Sequence, residues 1–152
     1  MTEEGPKVVE FNCRMGDPET QAVLPILESD LFDLFELAVQ GRLADHPGLK
    51  ISPRPAVCVV LASGGYPGSY AKGKTVTGLE DLEGDPDIVA FHAGTQLGDR
   101  EEIVTSGGRV LGITGRGANI SAAIDKAYQG VARVHFEGQH YRTDIGRKAI
   151  GR

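Results

Sequence analysis

Seven consecutive apolar residues, Ala56-Val57-Cys58-Val59-Val60-Leu61-Ala62, constrain this chain more than any other stretch. The run has strand length, is rich in valine and has no polar alternation to give it a wet face. It therefore predicts a central strand covered on both sides. Shorter strands are expected near Val76 to Gly78 and at Ile88 to His92, Glu102 to Thr105 and Val110 to Thr114, with turns at Gly98-Asp99 and Gly107-Gly108. A helix is expected over Ser121 to Val134, with Ile124, Ala127, Tyr128 and Val131 on one face. The pattern is α+β, a largely antiparallel meander with a covering helix.

Composition narrows the function classes. The 152 residues carry 16 basic and 21 acidic side chains, a net charge of −5, which argues against a general binder of nucleic acid or of anionic membranes. No apolar run reaches the ~18 residues of a membrane span, and Met1-Thr2-Glu3-Glu4 lacks the basic start of a signal peptide. Cys13 and Cys58 form no Cys-x-x-Cys and read as reduced thiols of a cytoplasmic protein. The four histidines, His46, His92, His135 and His140, show no metal spacing, and no nucleophile elbow is present. Gly64-Gly65, just after the apolar run, can close backbone N–H groups on an anion or can simply turn the chain, because no P-loop lysine comes after it.

The chemistry is densest near the start. Lys7 to Asn12 reads as a short strand that puts Val9 and Phe11 on one face and Glu10 and Asn12 on the other. Taken alone, the Glu-x-Asn pair is the wet side of an edge strand. It is also a pair of oxygen donors spaced to reach one hard cation. Arg14-Met15-Gly16-Asp17-Pro18-Glu19 then packs a cation, two carboxylates and a turn glycine together. Asp17 can cap a helix with Pro18 at its first position and Glu19 in its first turn, whereas Arg14 is surplus to a helix start and suits a substrate anion or an ion pair with Asp17. Pro25 bends or ends that helix, and Ser29-Asp30 starts another. Its stripe Leu31, Leu34, Phe35 and Ala38 predicts a core-facing side, and Gly41 supplies the stop. Pro47-Gly48 and Pro53-Arg54-Pro55 mark a connector.

The run Glu10-Phe11-Asn12-Cys13-Arg14-Met15-Gly16-Asp17-Pro18-Glu19-Thr20-Gln21 resembles the signature of the glycinamide ribonucleotide synthetase family, the phosphoribosylamine–glycine ligases. There, Arg-(Phe or Leu)-Gly-Asp-Pro-Glu comes after the last metal-binding strand of an ATP-grasp domain. Met15 departs from the usual Phe or Leu, an apolar exchange of similar volume. Ala62 to Gly68, Phe91 to Thr95, Gly107 to Leu111 and Tyr141 to Gly146 are similar to the same family in its order, so the resemblance covers essentially the whole chain.

The resemblance implies the end of an ATP-grasp domain over residues 1–45 and a C-terminal domain of antiparallel strands with covering helices over 46–152. It implies an ATP-dependent ligation of glycine to 5-phosphoribosylamine that yields glycinamide ribonucleotide, ADP and phosphate in purine synthesis. Glu10 and Asn12 would hold Mg²⁺ or Mn²⁺, and Arg14, Asp17 and Glu19 would act at the substrate side together with Pro18, Gly64 and Gly65. ATP would be held mainly by residues upstream of this sequence. Glu4-Gly5-Pro6 reads as a hairpin turn whose first strand is missing, so Met1 reads as an internal methionine or the chain as a fragment. A non-catalytic substrate-capping or partner-binding module, and the C-terminal subunit of a split ligase with a separate N-terminal half, are the alternatives.

Overall fold

The structure, a computed structural model, describes residues 5, 7–9 and 11–150. Its central sheet has β1 (Ala56–Ala62) at one edge, β2 (Ile88–His92) at the other and β5 (Arg109–Arg116) between them, all antiparallel. The apolar run is therefore an edge strand and not the central one. Its residues alternate between buried and half-buried, and β5 takes the centre with Val110 through Gly115 all buried. Nor is the chain a simple meander, because β3 (Thr95–Leu97) and β4 (Ile103–Thr105) form a separate hairpin before the chain returns to fill the middle of the sheet. The segment expected as a strand near Val76 contributes only the isolated bridges Thr75–Val104 and Thr77–His135.

Helix α3 (Ile120–Val131) covers one face of this sheet. Asn119 caps it by accepting from the Ala122 N–H at 2.9 Å, so the helix starts at Ile120, one residue before the expected Ser121, and it ends at Val131, three before the expected Val134. Ala123, Ile124, Ala127 and Val131 pack onto Val57, Val59, Leu61 and Ile113. The approach is close enough to require glycine in the strand, since a Cβ on Gly115 would lie 2.2 Å from the Ala127 nitrogen.

The opposite face of β5 meets the N-terminal segment. Helix α1 (Thr20–Val23) and the 3-10 turn Leu24–Ile26 run across it. Thr114 Oγ1 donates to the Gln21 carbonyl at 2.8 Å, and Arg116 Nη1 donates to that of Pro25 at 3.3 Å. Beyond α1, Leu27 and Ile51 bridge, and Ser29 Oγ accepts from the Lys50 N–H, closing a loop around α2 (Leu31–Val39). Helix α2 begins and ends as expected, with Asp30 accepting from the Phe32 and Asp33 N–H groups and Gly41 in the left-handed region at φ 68°. Its apolar stripe is not core, for none of its residues is buried. Leu31, Leu34, Phe35 and Ala38 instead line an open groove of about 430 Å³ together with Leu43, His46 and Leu49.

The expected N-terminal strand is not formed among the described residues: Val8, Val9, Phe11 and Asn12 belong to no ladder, and Val9 and Phe11 are exposed. Glu10 lies outside the described residues, as do Glu4 and Pro6 of the expected hairpin turn.

Candidate active site

The side chains singled out near the start converge on one cleft. Asn12, Arg14, Gly16, Asp17 and Glu19 line an open, mostly polar depression of about 400 Å³. Asp17 does not cap a helix there. The Asp17–Pro18 bond is cis, residues 17–19 form a turn, and α1 starts only at Thr20 with Glu19 at its N-cap position. The Asp17 carboxylate is engaged elsewhere: Oδ2 accepts from Arg109 Nη2 at 3.1 Å and Oδ1 from Gln21 Nε2 at 3.0 Å. Arg109 Nη1 also donates to the Asp17 carbonyl at 2.9 Å.

Arg14 and Glu19 are freer. Arg14 Nη1 donates to the neighbouring Met15 carbonyl at 3.1 Å, and its exposed guanidinium remains open to the depression. The Glu19 carboxylate folds over Gly16, where a Cβ would lie 2.4 Å from Oε2, and it takes no hydrogen bond among the described residues. Pro18 is half-buried and does not line the cleft.

Gly64 and Gly65 are also outside that lining. Their turn is packed against the chain itself, with a Cβ on Gly65 falling 2.2 Å from the Ser69 carbonyl oxygen and one on Gly64 falling 2.8 Å from that of Gly138. Ser63 Oγ donates to the Gly107 carbonyl at 2.8 Å, and the Tyr66 ring lies against Gly108. Among the described residues no three His, Cys, Asp or Glu side chains group as a metal cage. The donors in the cleft, the Asn12 amide and the Glu19 carboxylate, are the oxygen type that a hard divalent cation completes with phosphate and water. Cys58 is no nucleophile: burial pushes its thiol up, so it stays protonated at neutral pH.

Residues 56–148 match the family model of the phosphoribosylglycinamide synthetase C domain. The chain belongs to that family. It is 49% identical over 144 residues to a phosphoribosylamine–glycine ligase of Synechocystis, covering 95% of this chain and 34% of that protein. It is 45% identical over 150 residues to the trifunctional purine biosynthetic protein adenosine-3 of Gallus gallus, covering 99% of this chain and 15% of that protein. A crystal structure of the phosphoribosylamine–glycine ligase of Thermotoga maritima superposes with a TM-score of 0.68 at 36% identity, over 93% of this chain and 34% of that one. The chain thus spans about a third of the length of the single-activity ligases it matches. Among the described residues no helix is long and apolar enough to cross a membrane.

Sequence reasoning missed two residues of the cleft's frame, Arg109 and Gln21. Gln21 carried a signal, being four residues after Asp17, within reach of it across one helical turn. Arg109 carried none of its own, since its partner is 92 residues away.

Proposed function

We propose that this chain is the C-terminal third of an ATP-dependent ligase that joins glycine to 5-phosphoribosylamine. Residues 1–45 would end its ATP-grasp domain, and 46–152 would form its C-terminal domain. The observation that carries the reading is the convergence of Asn12, Arg14, Asp17 and Glu19 on one cleft, in a chain similar over nearly its whole length to proteins bearing that ligase's name. The two free thiols fit a reducing, cytoplasmic setting.

In this reading Glu10 and Asn12 hold a magnesium or manganese ion, whose charge would ease transfer of the γ-phosphoryl group of ATP to the glycine carboxylate, with ADP leaving. The amine of phosphoribosylamine then attacks the activated carbonyl carbon, forming the amide and expelling phosphate. Arg14 offers a planar donor fork to an anionic substrate group. Glu19, whose carboxylate is unpartnered among the described residues, accepts a hydrogen bond from the attacking amine. ATP is gripped by the part of the ligase that precedes this chain in its relatives.

The test uses the ligase that contains this chain. Glu10→Gln and Asn12→Ala should each lower kcat strongly, because the metal's charge stabilisation is worth several kcal/mol. Near wild-type turnover of both variants at ordinary Mg²⁺ concentration would remove the metal assignment. The 152 residues by themselves should form no glycinamide ribonucleotide. In a second arrangement the N-terminal part is a separate chain, and the apolar groove on α2 is open in either case. Product formation on mixing the two separately purified parts would establish it.

A further inference from the structure

We propose that Arg109 is a positioning residue for the cleft and that Asp17 is the handle it holds, not a group that touches substrate. The kinetic half of this proposal rests on the ligase reading above. Its structural half does not.

The geometry separates Asp17 from its neighbours. One guanidinium takes both the main-chain carbonyl of Asp17, at 2.9 Å, and its carboxylate Oδ2, at 3.1 Å. Gln21 takes the remaining oxygen, Oδ1, at 3.0 Å. A fork that grips the backbone and the side chain of one residue fixes both where that residue lies and how it is turned. Neither of the other charged side chains of the cleft is tied to the sheet in this way. Arg14 bonds only its neighbour Met15, and the Glu19 carboxylate bonds nothing among the described residues.

The grip passes directly to Glu19. The Gly16 carbonyl, one residue before Asp17, accepts from the Thr20 N–H at 3.0 Å and from the Thr20 hydroxyl, while the bare Gly16 Cα makes room for the Glu19 carboxylate. Holding Asp17 therefore holds the turn that presents Glu19 to the depression. Arg109 opens β5, so the turn is referenced to the central strand of the fold. The side chains of Arg109 and Asp17 are 39% and 47% exposed, and a pair so hydrated adds little to global stability. Its loss should be felt by the turn before it is felt by the sheet.

Two measurements test this. In the 152-residue chain, Arg109→Ala should speed amide exchange at Thr20, Ala22 and Val23 by about two- to fivefold, as expected for an exposed pair, and leave Val59 and Ile113 unchanged. Arg109→Lys should restore slow exchange at most in part, since an ammonium on a flexible stem lacks the planar fork that takes carbonyl and carboxylate together. Unchanged exchange at Thr20, Ala22 and Val23 overturns the latch whatever the activity. In the ligase carrying this chain, Arg109→Ala and Asp17→Ala should each lower kcat with KM for ATP unmoved, and the double variant should fall no further than the worse of the two single ones. A larger loss for Asp17→Ala, adding to that of Arg109→Ala, would show that Asp17 touches substrate and would overturn the assignment. If the wild-type ligase makes no product, the functional reading fails by itself, and the exchange result still decides the latch.

Discussion

Residues 56–136 and residues 17–51 carry similar apolar patterns and end in opposite states. In the first, Val59, Leu61, Val110, Leu111 and Ile113 have no accessible surface, and the apolar face of α3 joins them in one core. In the second, α2 has a well-spaced stripe and both caps, yet no residue of it is buried and Phe35 of the stripe is 54% exposed. Polar bonds tie the second region to the first. Arg109, Thr114 and Arg116 on β5 donate to the carbonyls of Asp17, Gln21 and Pro25, which succeed one another at four-residue intervals. Amphipathic spacing states that a helix needs a cover. It does not state that the cover is at hand.

The largest effects should come from the first region. Phe136→Ala empties a fully buried site and should cost about 3–5 kcal/mol in denaturant unfolding, whereas Phe35→Ala on the open groove should stay within about 0.5 kcal/mol. A large loss from Phe35→Ala would mean that α2 belongs to the core's cooperative unit. Gly115→Ala should also be costly, about 2 kcal/mol or more, because its new methyl meets the Ala127 backbone and not a movable side chain. Circular dichroism thermal melts would show this as a lower Tm.

The two helix caps sharpen the contrast with matched chemistry. Asn119→Ala removes the cap of α3 and should lower global stability by about 1 kcal/mol. Asp30→Ala removes an equivalent cap from α2 but should appear only as faster exchange within residues 31–39, with the sheet amides unchanged.

The smallest effect concerns the joint between the regions. Asp87 is held below the usual carboxylate range, first by the Arg54 hydrogen bond at 2.7 Å and further by the charges of Arg116 and Lys126. Its folded value is thus lower than its unfolded one. The unfolded chain takes up the proton first, so the associated stability is complete above about pH 4 and is lost as pH falls through the lowered folded value. Arg116, which Asp87 faces at 3.7 Å, also donates to the Pro25 carbonyl. Acid should therefore lower the amide protection factors of residues 20–26, intrinsic rates taken out, before those of β5. In Asp87→Asn that early step should shrink, and an unaltered acid profile would detach Asp87 from the joint.

Local signals were legible in the sequence. The bounds of β2, the start and stop of α2 and the buried face of α3 come from side-chain period and cap residues, and these act within a few positions. So did the crowding of Asn12, Arg14, Asp17 and Glu19, because a cluster that is contiguous in sequence cannot scatter far in space. The tertiary structure decided the rest. The seven apolar residues of β1 are compatible with a central or an edge place, and β5 takes the centre because its register pairs with β1 on one side and β2 on the other. Asp17 reads as a helix cap until a guanidinium from the far side of the chain takes its carboxylate, and α2 reads as core until no layer arrives to cover it. Period and capping are properties of a few neighbouring residues, whereas strand order, ion pairing and cover depend on contacts across the whole chain, which local pattern does not encode.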